Sequence, residues 1–136
     1  MFAISKTVLL LHMVNGANTF LKECKTFYIA TVEGDKPKLR PFGASMVFEN
    51  KLYFVTANTK KVFKQLQANP NVSIVACNGS RKWVRIEGAA QFDSRVHVKQ
   101  KMLEANPILI QNKRYTSAED PSMEIFFLAG TSIEFN

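Results

Sequence analysis

Apolar residues change period several times along the chain, and each change marks an expected element. Phe20, Leu21 and Cys24 share one side of a short helical pattern over Thr19–Lys25. Phe27-Tyr28-Ile29-Ala30-Thr31-Val32 is rich in aromatic and β-branched residues and reads as a strand, closed by a turn at Glu33-Gly34-Asp35-Lys36-Pro37. Lys38–Phe48 reads as one long second strand whose regularity Pro41 and Gly43 interrupt. Proline is tolerated in sheets at edges and bulges, and glycine permits close backbone approach or the bulge that barrel closure needs. After a turn at Glu49-Asn50, Leu52–Thr56 completes an antiparallel hairpin, which sets Arg40 close to Thr56.

A helix is expected from Thr59 through Ala68, burying Val62, Phe63 and Leu66. It ends at Asn69-Pro70, because the residue before a proline avoids helical geometry. Val72–Cys77 and Trp83–Phe92 are the fourth and fifth strands, joined at Asn78-Gly79, with Gly88 marking a bend. Ser94 is placed to cap a helix running to about Ala105, with Val98, Met102 and Leu103 inward and Asn106-Pro107 as its stop. Residues 108–122 are mixed, and Glu124–Leu128 and Ser132–Phe135 follow as two strands around Ala129-Gly130. Hairpin strands with helices inserted between them predict a mainly β fold, an antiparallel sheet curled into a small barrel. Strict β–α–β alternation is absent, and neither GxGxxG nor GxxxxGKS/T occurs.

Composition narrows the ligand. At 136 residues and 46 % hydrophobic the chain suits one domain with a real core, and eleven Phe favour sheet. Of the formal +7 charge, residues 1–68 hold 10 Lys/Arg against 4 Asp/Glu, while residues 69–136 hold 8 against 7. That local excess points to a phosphate, a nucleotide or nucleic acid, or to a plain lysine-rich wet face. Nucleic acid fits poorly, because the aromatic residues alternate as strand core without regularly interleaved basic residues. Cys24 and Cys77 form no CxxC pair and read as reduced, buried thiols of a cytoplasmic protein. Residues 1–18 loosely imitate a signal peptide through Val8–Leu11. His12 interrupts that apolar run, and it is too short to cross a bilayer, so it reads as an N-terminal extension ahead of a domain over 19–136, with no membrane partner. No Cys/His/Asp/Glu cluster has metal-ligand spacing, and no catalytic acid–base pair stands out, Glu87 and Asp93 reading as solvated.

The candidate chemistry lies in Phe54-Val55-Thr56-Ala57-Asn58-Thr59-Lys60-Lys61-Val62-Phe63, where a strand ends in small polar residues and a helix begins. A helix start leaves backbone N–H groups unpaired and carries partial positive charge, which binds phosphate readily. Thr59 is a good N-cap. Lys60 and Lys61 stand where positive charge disfavours the helix by about 0.3–1 kcal/mol each. Either an anion sits between them or they are two ordinary surface lysines. Arg40, in Arg40-Pro41-Phe42-Gly43, adds a planar fork suited to phosphate or a carbonyl.

These segments, with Leu52–Thr56, Asn69-Pro70-Asn71-Val72, Trp83-Val84-Arg85-Ile86-Glu87-Gly88 and Phe126-Phe127-Leu128, together resemble the pyridoxamine 5'-phosphate oxidase-like FMN-binding split-barrel family over about residues 19–136. The resemblance implies a six-stranded antiparallel split β-barrel that forms a homodimer with FMN at the interface. It implies that Lys60 and Lys61, with Thr59 and Asn58 beside them, hold the phosphate. Arg40, Pro41, Phe42 and Gly43 would run beside the ring, with Thr56 against ring or ribityl chain. Trp83 and Arg85 match the strand offered to the partner's flavin. It further implies an oxidoreductase using a nicotinamide nucleotide or a small redox substrate, or alternatively a non-catalytic flavin- or haem-binding module. A C-terminal Trp and Arg segment that would grip pyridoxal phosphate is not recognisable, so the chain looks more like the small flavin-nucleotide-binding members.

Overall fold

The run over Lys38–Phe48 is two strands rather than one, and the break between them organises the molecule. The computed structural model describes residues 3–136, so Met1 and Phe2 of the expected extension lie outside it. In chain order the elements are α1 (Lys6–Cys24), β1 (Phe27–Glu33), β2 (Lys36–Phe42), β3 (Ser45–Phe48), β4 (Lys51–Ala57), α2 (Lys61–Ala68), β5 (Asn71–Cys77), β6 (Trp83–Asp93), α3 (Val96–Ala105), α4 (Ile108–Gln111) and β7 (Met123–Phe135). The strands form one antiparallel seven-stranded sheet ordered β2-β1-β5-β6-β7-β4-β3. Its two edge strands, β2 and β3, are neighbours in the chain, separated only by Gly43 and Ala44. The sheet therefore rolls until its edges meet at that link, which makes it a split barrel. The sheet has seven strands against the six the resemblance implies; the pattern's own total of seven is kept because its second strand divides while its last two join into β7.

The break moves Arg40. Its partner across the ladder is Ile29 of β1, while β4 pairs instead with β3 and β7. Gly43 is not sterically demanded there: an added Cβ would sit an ordinary 3.5 Å from the Lys25 carbonyl. Gly88 is demanded. At the β6 bulge a Cβ would come within 3.0 Å of the Ala129 carbonyl and 3.1 Å of Leu128 Cβ. Opposite it, Gly130 takes φ +62°, so the two expected C-terminal strands are one 13-residue strand with a bend.

The helices differ at their starts. The pattern at Thr19–Lys25 is the end of a 19-residue helix, so the expected boundary at residue 18 falls inside α1. Ser5 caps it, its Oγ accepting from Val8 N at 3.2 Å, and Val14, Ala17 and Leu21 bury one stripe. Thr59 does not cap α2. It lies in a turn closed by Lys60 N donating to Ala57 O at 3.0 Å, and Lys60 occupies the cap position with no side-chain bond. Arg95, not Ser94, precedes α3. Cys24 is half-buried and Cys77 exposed, so only the first approaches the expected burial. Among the described residues no helix is long and apolar enough to cross a membrane.

Two apolar cores result. One fills the barrel and packs α1, with Phe27, Phe54, Ile74, Ile86 and Phe126 fully buried. The other lies between the sheet and α3, around Tyr53, Met102, Met123 and Ile125. Beside the second, the Tyr53 hydroxyl donates to Asp93 Oδ2 at 2.7 Å, and Arg95 reaches both carboxylate oxygens at 2.8–3.2 Å as well as Glu49 at 2.9 Å. Arg95's hydrogen bonds hold the Asp93 carboxyl well below the usual carboxylate range. A carboxyl lowered on folding stabilises the fold above its unfolded pKa of about 4 and loses that contribution as pH falls below it. Asp93→Asn should therefore cost about 1–3 kcal/mol in urea unfolding at pH 7. The gap from the unsubstituted protein should narrow at pH 3, and an equal gap at both pH values would show that the carboxylate charge is not what matters.

Candidate functional site

A cavity of about 640 Å³ opens beside the break in the barrel. Each wall is set by an element already described. The last turn of α1 and the residue after it bring Lys22 and Lys25; β2 brings Arg40, Pro41 and Phe42; the link brings Gly43 and Ala44. The end of β4 contributes Val55 and Thr56, the start of α2 contributes Lys60 and Val62, and the segment 105–115 closes the remaining side.

Charge is the cavity's clearest property. Lys22, Lys25, Arg40, Lys60 and Arg114 line it, and no Asp or Glu does. Among the described residues none of these five is ion-paired, although Arg85, Arg95, Lys38 and Lys101 all are. Two are tied only to neutral oxygens. Lys22 Nζ donates to Ala105 O and Asn106 Oδ1, each at 3.2 Å. Arg40 donates to Ile29 O at 3.2 Å, to Thr31 Oγ1 at 2.7 Å and to Gln65 Oε1. Burial lowers the pKa of both Lys22 and Arg40. Partly desolvated cations without counter-charge make a cleft that attracts anions.

Hydroxyl and backbone groups complete the lining. Thr56 is 3 % exposed; among the described residues its hydroxyl has no hydrogen-bond partner and no fully buried side-chain polar atom lacks one, so that oxygen opens to the cavity. Gly43 and Ala44 lie outside every ladder, which ends at Phe27↔Phe42 and resumes at Ser45↔Phe54, so their peptide groups remain available. Asn106 steadies the far wall, its Nδ2 donating to Ser45 O at 3.0 Å.

Of the residues singled out from sequence, Arg40, Pro41, Phe42, Gly43, Thr56 and Lys60 meet in this cavity. Asn58, Thr59, Lys61, Trp83 and Arg85 do not line it. Asn58 Nδ2 instead donates to Pro121 O at 2.8 Å and Glu124 Oε1 at 3.2 Å, tying the β4 exit to the start of β7. Arg85 stacks over Trp83 at 5.1 Å and pairs with Glu134 at 3.4 Å on β6 and β7. Lys22, Lys25, Asn106, Arg114 and Tyr115 escaped the sequence reading. Only the basic excess of residues 1–68 hinted at the first two.

With this geometry in hand the relatives become informative. The family model described as pyridoxamine 5'-phosphate oxidase matches residues 14–135. The chain belongs to the pyridoxamine 5'-phosphate oxidase family. It is 41 % identical to a NimC/NimA family protein from Clostridium acetobutylicum, with a TM-score of 0.88 over 95 % of this chain and 88 % of that one. Two more distant structures share the family's fold. A pyridoxamine 5'-phosphate oxidase-related, FMN-binding protein from Nostoc punctiforme is 16 % identical, with a TM-score of 0.65 over 96 % of this chain and 84 % of that one. The heme storage protein HutZ from Vibrio cholerae is 18 % identical, with a TM-score of 0.66 over 88 % and 92 %. No curated protein matches the sequence.

Arg40 serves the fold as well as the cavity, because it donates into a buried network in which Thr31 Oγ1 also donates to Gln65 Oε1 at 2.6 Å. Arg40→Met should destabilise the protein by about 1–3 kcal/mol in urea unfolding by removing its charge-assisted bonds to Thr31, Gln65 and the Ile29 carbonyl. Lys60→Met, which removes no hydrogen bond within the protein, should change stability by less than about 0.5 kcal/mol.

Proposed function

We propose that the chain is an FMN-binding flavoprotein and oxidoreductase that works as a homodimer with FMN at the interface. The observation that carries this reading is the cavity itself: five unpaired cations, no carboxylate and apolar walls in about 640 Å³. That suits a ligand with one phosphate and a flat apolar body. Family membership supports the same ligand class.

In this reading Lys60 and the N–H of Val62 in the first turn of α2 hold the phosphate, with Arg40 adding positive charge. Thr56 offers its free hydroxyl to the ring or ribityl chain. Pro41 and Phe42 give the ring apolar contact, and the free peptide groups at Gly43 and Ala44 meet its polar edge. When bound, FMN supplies the electron-transfer chemistry, with a nicotinamide nucleotide or a small redox substrate as donor. The chain's part is to bind, to orient and to favour negative charge on the ligand. A haem-binding module is less well supported, since His12 and His97 are exposed and off the cavity, leaving Tyr115 as its one residue of axial-ligand type.

For the dimer, the outer face of β2, β1 and β5 offers Leu39, Tyr28 and Val75, which are 67 %, 46 % and 39 % exposed. The ladder continues this face through Val75↔Arg85 and Cys77↔Trp83. Apolar side chains grouped this way suit a second copy.

Titration of FMN into apo protein, followed by flavin fluorescence, should give saturable binding at micromolar concentration, and its absence would overturn the reading. Lys60→Ala should weaken FMN at least tenfold, whereas Lys61→Ala, off the cavity, should stay within twofold. Oxidation of NADH or NADPH by the loaded protein separates an oxidoreductase from a storage module. Trp83→Ala should shift the dimer towards monomer in light scattering and weaken FMN alongside.

A further inference from the structure

An arginine drawn partly out of water ordinarily meets a carboxylate. Arg40 meets an amide instead. Gln65 of α2, only 6 % exposed, accepts through its one oxygen from Arg40 Nη2 and, at 2.6 Å, from Thr31 Oγ1. Its Nε2 donates in the other direction, to Glu33 Oε2 at 3.2 Å. Thr31 Oγ1 accepts from Arg40 Nη1 at 2.7 Å, so its own proton goes to Gln65. Every donor and acceptor in this cluster therefore has a fixed direction. Its one carboxylate, Glu33, lies on the far side of the amide and pairs with Lys38 at 3.9 Å.

The cluster leaves a defined remainder. Of the five N–H donors of Arg40, the two on Nη1 go to Ile29 O and Thr31 Oγ1, and one on Nη2 goes to Gln65. The Nε–H and the second Nη2–H have no partner among the described residues. These two nitrogens share one edge of the planar group, and such an edge takes a phosphate with two parallel bonds. Arg40 lines the cavity, whereas Thr31, Glu33 and Gln65 do not, so those three reach a ligand only through it. Gln65 also stands on the helix that begins next to Lys60, and its amide fixes that helix to Arg40 of β2.

We propose that Gln65 is a positioning residue for anion binding in the cavity: its neutral amide, set between Arg40 and Glu33, holds the free edge of Arg40 towards the ligand's phosphate and keeps that cation from being neutralised inside the protein. The proposal rests on the reading in which the cavity holds FMN and Arg40 adds charge at its phosphate. A carboxylate at position 65 would hold Arg40 equally well and would cancel its charge. Holding the arginine and insulating it are therefore separable by experiment.

Exchanging the two side chains makes the separation. The double variant Glu33→Gln/Gln65→Glu keeps the net charge, lets each bond of the cluster re-form and moves the carboxylate onto Arg40. In fluorescence titrations its affinity for FMN should fall at least tenfold. Its affinity for riboflavin, the same ring without the phosphate, should stay within threefold, and its urea midpoint should be no lower than that of the unsubstituted protein. Glu33→Gln alone should leave FMN within twofold. Thr31→Val should weaken FMN at least threefold and riboflavin less than twofold, with Thr31→Ser within twofold for both. FMN affinity undiminished by the exchange, or an equal loss of both flavins, would overturn the proposal, because a purely structural role lowers the two together. Should the exchanged chain fail to fold, the Thr31 variants decide by the same ratio of FMN to riboflavin. If the unsubstituted protein binds neither flavin, the flavin reading falls alone. Inorganic phosphate titrated by calorimetry into the apo protein then decides: binding at least tenfold weaker in the exchanged chain supports the proposal, and unchanged or absent binding overturns it.

Discussion

The link of two residues between β2 and β3 is the constraint on which the molecule depends. The edge strands of an open seven-stranded sheet would lie far apart, yet here Phe42 and Ser45 can be no more than about 11 Å from one another. The sheet has to curl. Curling creates an interior that the stripe of α1 and the barrel phenylalanines fill, and it leaves a seam where the ladder cannot continue. Backbone polar groups at such a seam need partners. The cavity lies along that seam, so the geometry that closes the barrel also creates the place where a polar ligand edge is welcome.

Electrostatics then separates structural cations from those facing the cavity. Arg95 meets Asp93 and Glu49, and Arg85 meets Glu134. Around the cavity the pattern reverses: Arg40 and Lys22 rest on carbonyl, hydroxyl and amide oxygens. Burying a cation without a counter-ion is costly, and neutral acceptors recover only part of that cost. Arg40, the most enclosed of them, therefore sits at the opening with neutral acceptors in place of a counter-ion, and the exposed Lys22, Lys25, Lys60 and Arg114 add to the positive potential there.

Much of this could be read in the chain because local pattern and final structure agree. The strands at Phe27, Val72 and Trp83 and the helix ending at Asn69-Pro70 stand close to where their patterns put them. The break at Gly43 could not be read in this way, because both halves look like strand and only non-local pairing shows that they belong to opposite edges. Thr59 has the right side chain for an N-cap, yet the turn after Ala57 puts Lys60 there. In the cavity, Arg40, Thr56 and Lys60 were legible because they lie in one contiguous motif. Lys22 and Tyr115, more than 90 positions apart in sequence, were not, because tertiary packing alone makes them neighbours of the same space.

Strand β4 and the first half of β7, Met123 to Leu128, run between the two cores. Leu52 and Phe54 point into the barrel while Tyr53 and Val55 point towards α3, and Phe126 and Leu128 alternate in the same way with Met123 and Ile125. One inserted residue would exchange the two sets, drive the Tyr53 hydroxyl among the barrel phenylalanines and part it from Asp93. These strands can therefore tolerate neither slippage nor a change of length. Variation in chain length within such a fold has to collect where the ladder turns back on itself, at Gly34-Asp35 or Asn78-Gly79, and leave the central pair untouched.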